Sequence, residues 1–248
     1  MKKTVGILGG MGPQATVNLF QKVINFTDAE CDQDHIQALI NNNPQIPDRT
    51  EYILGDGEDL TPHLIKGAIK LQQLGADYLA MPCNTAHYFY DEVVRYMDIP
   101  FLNMIEEVAA EVDRKYGNDS KVGLLATTGT YQVGIYEKVL QESGVNLITP
   151  DESGKEAVYD VIYKVKEGFD DIKFQSVNNL LAEMKKQGVS VVILGCTELP
   201  LIKDKLDSEI DYMDCTEILA QRIVDYASDQ ENSSQIEVEA EMVTQTIE

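Results

Sequence analysis

Two cysteines stand at the same position in two copies of one pattern. The segment Leu71-Gln72-Gln73-Leu74-Gly75-Ala76-Asp77-Tyr78-Leu79-Ala80-Met81-Pro82-Cys83 aligns without gaps on Met184-Lys185-Lys186-Gln187-Gly188-Val189-Ser190-Val191-Val192-Ile193-Leu194-Gly195-Cys196. In each copy a helix-like run ends at a glycine, a short apolar strand follows, and a cysteine comes eight residues after the glycine. Upstream, Val5-Gly6-Ile7-Leu8 leading to Gly12 mirrors Val122-Gly123-Leu124-Leu125 leading to Gly129. Gly6 precedes Cys83 by 77 residues and Gly123 precedes Cys196 by 73. Two similar halves that each offer one thiol from a strand end can hold the pair face to face across a single ligand. A thiol at a helix N-terminus has its pKa lowered by backbone N–H groups and the dipole, which brings a thiolate within reach near neutral pH. The N–H groups after Cys83, with the side chains of Asn84 and Thr85, can also hold a carboxylate. Cys196-Thr197-Glu198 repeats that geometry from the other half.

Other chemistries compete for these residues. A single Cys after an apolar strand is more often a buried small hydrophobe than a reactive group; its recurrence at matched positions, each time before polar residues, favours function. Metal binding is disfavoured because neither thiol has a Cys or His at ligand spacing apart from His87, four residues after Cys83. Cys83 with His87 could form the nucleophile and base of a thiol hydrolase, but this leaves Cys196 unexplained. The run Gly6-x-x-Gly9-Gly10-x-Gly12-Pro13 lacks the spacing of a dinucleotide loop and has no acidic residue suitably placed after the second strand. It reads instead as a tight loop that lets backbone approach a small ligand, with Met11 and Gln14 at the rim. Cys31 and Cys215 have no partner pattern and read as structural or incidental.

Alternating strand and helix signals place these residues in an α/β fold with parallel strands. Strands are expected at 5–8, 36–40, 78–81, 100–102, 122–125, 146–149, 191–194 and 210–213, two sets of four. Helices such as the one opening at Thr61-Pro62 and ending at Gly75 lie between them. Eight such units in about 250 residues also suit a TIM-like barrel. The repeat favours two similar lobes related by a pseudo-twofold, each a four-stranded parallel sheet flanked by helices, with the site in the cleft. Both thiols then fall at C-terminal strand edges, where open parallel sheets bind ligands. The first lobe is expected at 1–101 plus 210–228 and the second at 102–209. An acidic tail, 229–248, reads as solvated, with an edge strand through Ile236, Val238, Ala240 and Met242 as the alternative.

The chain has 248 residues, 44% of them apolar, enough for one large or two small cores. No apolar run approaches the roughly 20 residues of a membrane helix, and the N-terminus does not read as a secretion signal, so a cytoplasmic location with reduced thiols is expected. A formal charge of −22 argues against nucleic acid as a partner. The same charge repels small anions, so a site for an anion must supply its own cations. There are only four arginines, at 49, 95, 114 and 222.

The chain resembles the aspartate/glutamate racemase superfamily, and within it the aspartate-type branch. The resemblance rests on Gly6-Ile-Leu-Gly-Gly-Met-Gly-Pro13, Asn42-Asn-Pro-Gln-Ile-Pro-Asp-Arg49, Met81-Pro-Cys-Asn-Thr-Ala-His87, Leu125-Ala-Thr-Thr-Gly-Thr130 and Gly195-Cys-Thr-Glu198. These stretches run in order over residues 4 to about 227. Glutamate racemases usually carry His after the second Cys-Thr, so Glu198 favours the aspartate-type branch, a feature shared with broad-specificity racemases. The resemblance implies an amino-acid substrate, no cofactor, a homodimer, and Cys83 and Cys196 as catalytic bases on opposite faces of the α-carbon. It further implies substrate contacts from Met11, Arg49, Asn84, Thr85, Thr127, Lys166, Thr197 and Glu198, with Arg49 gripping a side-chain carboxylate. A non-catalytic, two-lobed amino-acid-binding protein is the remaining alternative.

Overall fold

The structure is a computed structural model that describes residues 2–117, 119–169, 171–206 and 209–228. The tail expected to be solvated or an edge strand lies outside the described residues. The first half runs β1 (Val5–Gly9), α1 (Pro13–Phe26), β2 (Ala38–Asn42), α2 (Arg49–Leu54), α3 (Thr61–Gln73), β3 (Tyr78–Ala80), α4 (Tyr90–Val94) and α5 (Met104–Tyr116). The second runs β4 (Lys121–Ala126), α6 (Thr128–Val133), α7 (Ile135–Glu142), β5 (Asn146–Ile148), α8 (Glu152–Glu167), α9 (Gln175–Lys186), β6 (Val191–Gly195), β7 (Asp211–Asp214) and α10 (Cys215–Ser228). Among the described residues all pairing is parallel, in two open sheets ordered β2-β1-β3 and β5-β4-β6-β7, with no closed barrel.

The internal repeat is visible in the packing as well as in the strand order. Gly6 and Gly123 sit in the central strands, where a Cβ would meet Leu79, Ala76 and Leu71 in one half and Val192, Met184 and Val189 in the other. Those six neighbours are the aligned residues of the repeated segment, so each glycine admits the same helix and strand at the same close approach. Gly75 and Gly188, at φ +95° and +83°, follow α3 and α9 in the left-handed conformation that frees the chain to enter the next strand.

Two details differ from expectation. The first sheet has three strands rather than four. Residues 100–102 add only an isolated bridge, Leu79 to Phe101, because Pro100 has no N–H to donate and Asn103 at once caps α5 by accepting from Ile105 N. The segment expected to return to the first lobe from residue 210 does so one element later: β7 pairs with β6 in the second sheet, and only α10 packs on α1.

One core joins the lobes. Val5, Ile7 and Tyr78 of the first sheet and Val122, Leu124 and Ile193 of the second are fully buried in a single cluster with α1, α5, α7 and α10. The buried Tyr78 hydroxyl donates to the Ile223 carbonyl at 2.8 Å, pinning α10 to the first sheet. Separate clusters fill the outer faces, under α3 in the first lobe and under α8 and α9 in the second. Among the described residues no helix is long and apolar enough to cross a membrane.

Candidate active site

Cys83 and Cys196 follow the C-terminal ends of β3 and β6, the equivalent strands of the two sheets, and both are buried. Neither is followed directly by an α-helix, as the sequence suggests. Short 3-10 segments come next, Thr85–Phe89 and Leu199–Lys205, and so few peptides sum to a weak dipole. Side chains supply the local electrostatics instead.

Ten of the candidates named from the sequence line one small cavity: Cys83, Cys196, Met11, Arg49, Asn84, Thr85, Thr127, Lys166, Thr197 and Glu198, joined by Asp48 and Thr50. Gln14, expected at the rim, is exposed and does not line it. The cavity volume is about 10 Å³, room for roughly one water. An amino acid therefore enters only when the walls part. One wall is the contact of α2 with α6, where Gly129 lies so close to Thr50 and Thr85 that a Cβ would meet Thr50 Oγ1 at 2.8 Å.

Each thiol has its own cation. Arg49 opens α2, whose N-terminus Asp48 caps by accepting from Thr50 N and Glu51 N. Its Nη1 donates to the Pro47 carbonyl at 3.1 Å, and its guanidinium interacts electrostatically with the Cys83 side chain. Burial opposes the charge on Arg49, but its interactions with Cys83, Asp48 and Glu198 outweigh it, so its pKa lies above the ordinary value. Its Nε is buried without a partner among the described residues. Lys166, near the end of α8, holds its Nζ 4.4 Å from the Tyr163 ring centroid and favours a thiolate at Cys196.

Cys196 is balanced the other way. Its Sγ donates to Glu198 Oε2 at 2.9 Å, which ties one oxygen of that carboxylate to the thiol. Burial pushes the Cys196 thiol well above its ordinary pKa and the Glu198 charge adds to the rise, with Lys166 opposing it.

Hydroxyls bridge the lobes. Thr85 Oγ1 lies 2.9 Å from both Thr127 Oγ1 and Thr130 Oγ1, and Thr127 and Thr130 are 3.1 Å apart. Sequence reasoning did not single out Thr130, Asp48 or Thr50. Asn84 Nδ2 is buried with no partner among the described residues.

The Cys83–His87 hydrolase reading fails on geometry. His87 Nδ1 is 2.8 Å from the carbonyl oxygen of Cys83, not its sulfur, and Nε2 accepts from Met104 N at 3.1 Å. Burial depresses its pKa to about 4, so the ring is neutral with both nitrogens committed. Among the described residues no three His, Cys, Asp or Glu side chains gather as a metal-binding set.

This arrangement, two thiols from two lobes with a cation at each and donors between, can be set against known proteins. The Asp/Glu/Hydantoin racemase family matches residues 8–223. The chain belongs to that family. Broad specificity amino-acid racemase RacX of Bacillus subtilis (strain 168) is 31% identical over 226 residues, covering 89% of this racemase and 96% of the relative. The structure of Picrophilus torridus aspartate racemase matches with a TM-score of 0.81 at 32% identity, over 94% of this chain and 97% of its own. An aspartate racemase homologue from Pyrococcus horikoshii OT3 matches at a TM-score of 0.72 and 27% identity, over 92% and 100%. At the level of the superfamily, this enzyme is an amino-acid racemase.

Proposed function

We propose that this racemase interconverts L- and D-aspartate without pyridoxal phosphate, with Cys83 and Cys196 transferring protons on opposite faces of the α-carbon. The observation that carries the reading is the closed cavity itself, which is lined by one thiol from each lobe and by groups suited to carboxylates. Inversion needs a base on one face and an acid on the other, since a single base tends to return the proton where it took it. A pair of thiols sharing one proton meets that need and exchanges roles when the other enantiomer binds.

Removing the α-proton moves charge onto the α-carboxylate, so donors aimed there stabilise the transition state more than the ground state. Asn84 Nδ2, the hydroxyls of Thr85, Thr127 and Thr197, and Lys166 are the donors proposed for that carboxylate. Arg49 has five N–H donors in a planar fork. Its Nε, buried without a partner among the described residues, is the donor proposed for a side-chain carboxylate.

Glu198 sets the proton position on one side. In Glu198→Gln the negative charge beside Cys196 is gone, and its thiol titrates at lower pH. The limbs of the pH–rate profiles that report Cys196 should move to lower pH in both reaction directions. Unmoved limbs in both directions would contradict this role.

A second reading, a broader substrate range, is favoured by the relative from Bacillus subtilis and by the neighbouring groove. That groove, of about 480 Å³, presents Asp48, Glu51, Asp56, Glu156 and Asp160, a field that repels dicarboxylates. A chiral assay over acidic, neutral and basic amino acids separates the readings. Aspartate should have the highest kcat/KM; equal or faster turnover of neutral or basic amino acids would replace the aspartate assignment with the broader one.

A further inference from the structure

The Asn84 amide can offer the cavity either an oxygen or an NH2 group, and only the second serves a carboxylate. A buried chain of hydrogen bonds bears on that choice. Tyr136 of α7, fully buried, places its hydroxyl 2.5 Å from Asn84 Oδ1 and 3.1 Å from Cys215 Sγ, the first residue of α10. The three residues come from three distant parts of the chain: the loop after β3, the second lobe, and the helix that returns to the first. Asn84 lines the cavity, and its Nδ2, on the other side of the same amide, has no protein partner among the described residues.

The direction of donation along this chain follows from chemistry. A hydroxyl has one hydrogen to give. Burial raises the Cys215 thiol to about 12, so it keeps its hydrogen. Burial likewise holds the Tyr136 phenol well above its ordinary pKa. The phenol hydrogen goes to Asn84 Oδ1, so at the 3.1 Å contact the Cys215 S–H donates to the phenol oxygen. With Oδ1 occupied, Nδ2 is turned to the cavity.

We infer that Tyr136, itself out of reach of the substrate, is a positioning residue that locks the Asn84 amide with its NH2 toward the reacting carboxylate. This rests on the proposed reading of Asn84 as a carboxylate donor. It also gives Cys215 a place, as the group that hands its hydrogen to Tyr136.

The test is a double-mutant cycle on racemisation with Tyr136→Phe and Asn84→Ala, with thermal unfolding measured for each variant. Tyr136→Phe should lower kcat about tenfold, the worth of one buried hydrogen bond, while KM stays within about twofold. In the Asn84→Ala background the same change should cost almost nothing. Wild-type kcat in Tyr136→Phe, or an undiminished loss when Asn84 is already alanine, would overturn the inference. Wild-type kinetics in Asn84→Ala would instead show that the carboxylate reading of Asn84 fails. Should Tyr136→Phe not fold, 4-aminophenylalanine and 4-fluorophenylalanine at position 136 fill the hydroxyl's place with and without a donor. Activity should survive the first and fall with the second; equal activity in both would overturn the inference.

Discussion

Replacing either Cys83 or Cys196 with alanine should lower racemisation of aspartate by about a thousandfold or more in both directions, and replacing both should cost little beyond either alone. The two thiols act as one unit: one removes the α-proton and the other supplies a proton to the opposite face. With one missing, the survivor can only return the proton to the face it left. Groups that act as a unit give this non-additive pattern. Both side chains are buried and of nearly alanine size, so folding should survive, and thermal unfolding provides that control. Initial rates from each enantiomer, read by chiral separation, measure the effect; near-wild-type rates from either single variant would remove the two-thiol mechanism.

Arg49→Ala should produce the second-largest loss, and a selective one. A charged hydrogen bond is worth about 1.5–3 kcal/mol, which is roughly ten- to a hundredfold in kcat/KM for aspartate. Because the guanidinium also reaches Cys83, amino acids without a side-chain carboxylate should lose some rate as well. The ratio of aspartate to alanine turnover is therefore the informative quantity. Arg49→Lys should not restore it, because an ammonium cannot reproduce the planar fork. Unchanged aspartate kinetics in Arg49→Ala would refute the assignment.

Much of the fold could be read from the repeat, because a duplicated strand–glycine–helix pattern carries its packing with it. The close approach of Gly6 to Leu71, Ala76 and Leu79 recurs at Gly123 with their aligned partners, and the shared strand order follows. What escaped was set by local exceptions. Pro100 cannot donate to a ladder, so the first sheet stops at three strands plus a bridge. The strand at 211–214 stays with its own sheet and only the following helix crosses over.

Asn84, Thr85, Thr127, Thr197 and Glu198 were legible for a related reason, since they follow repeated strands, whereas Arg49 in α2 and Lys166 in α8 were legible only through the family resemblance. Thr130 was not singled out because it resembles any residue in the first turn of a helix, and its hydroxyl gains meaning only when Thr85 of the other lobe meets it. Glu198 was visible as a candidate, but its bond to the Cys196 sulfur was not. Tyr136 and Cys215 carry no motif at all. Their contact spans 79 positions, and nothing local in the sequence signals it.

Incubation of each aspartate enantiomer with the metal-chelated, pyridoxal-phosphate-free enzyme in D2O tests the central claim most directly. The account predicts α-deuterated aspartate of inverted configuration from both enantiomers, with deuterium entering as inversion proceeds and with both thiols required. Binding of aspartate without α-proton exchange, or exchange that depends on added pyridoxal phosphate, would contradict it.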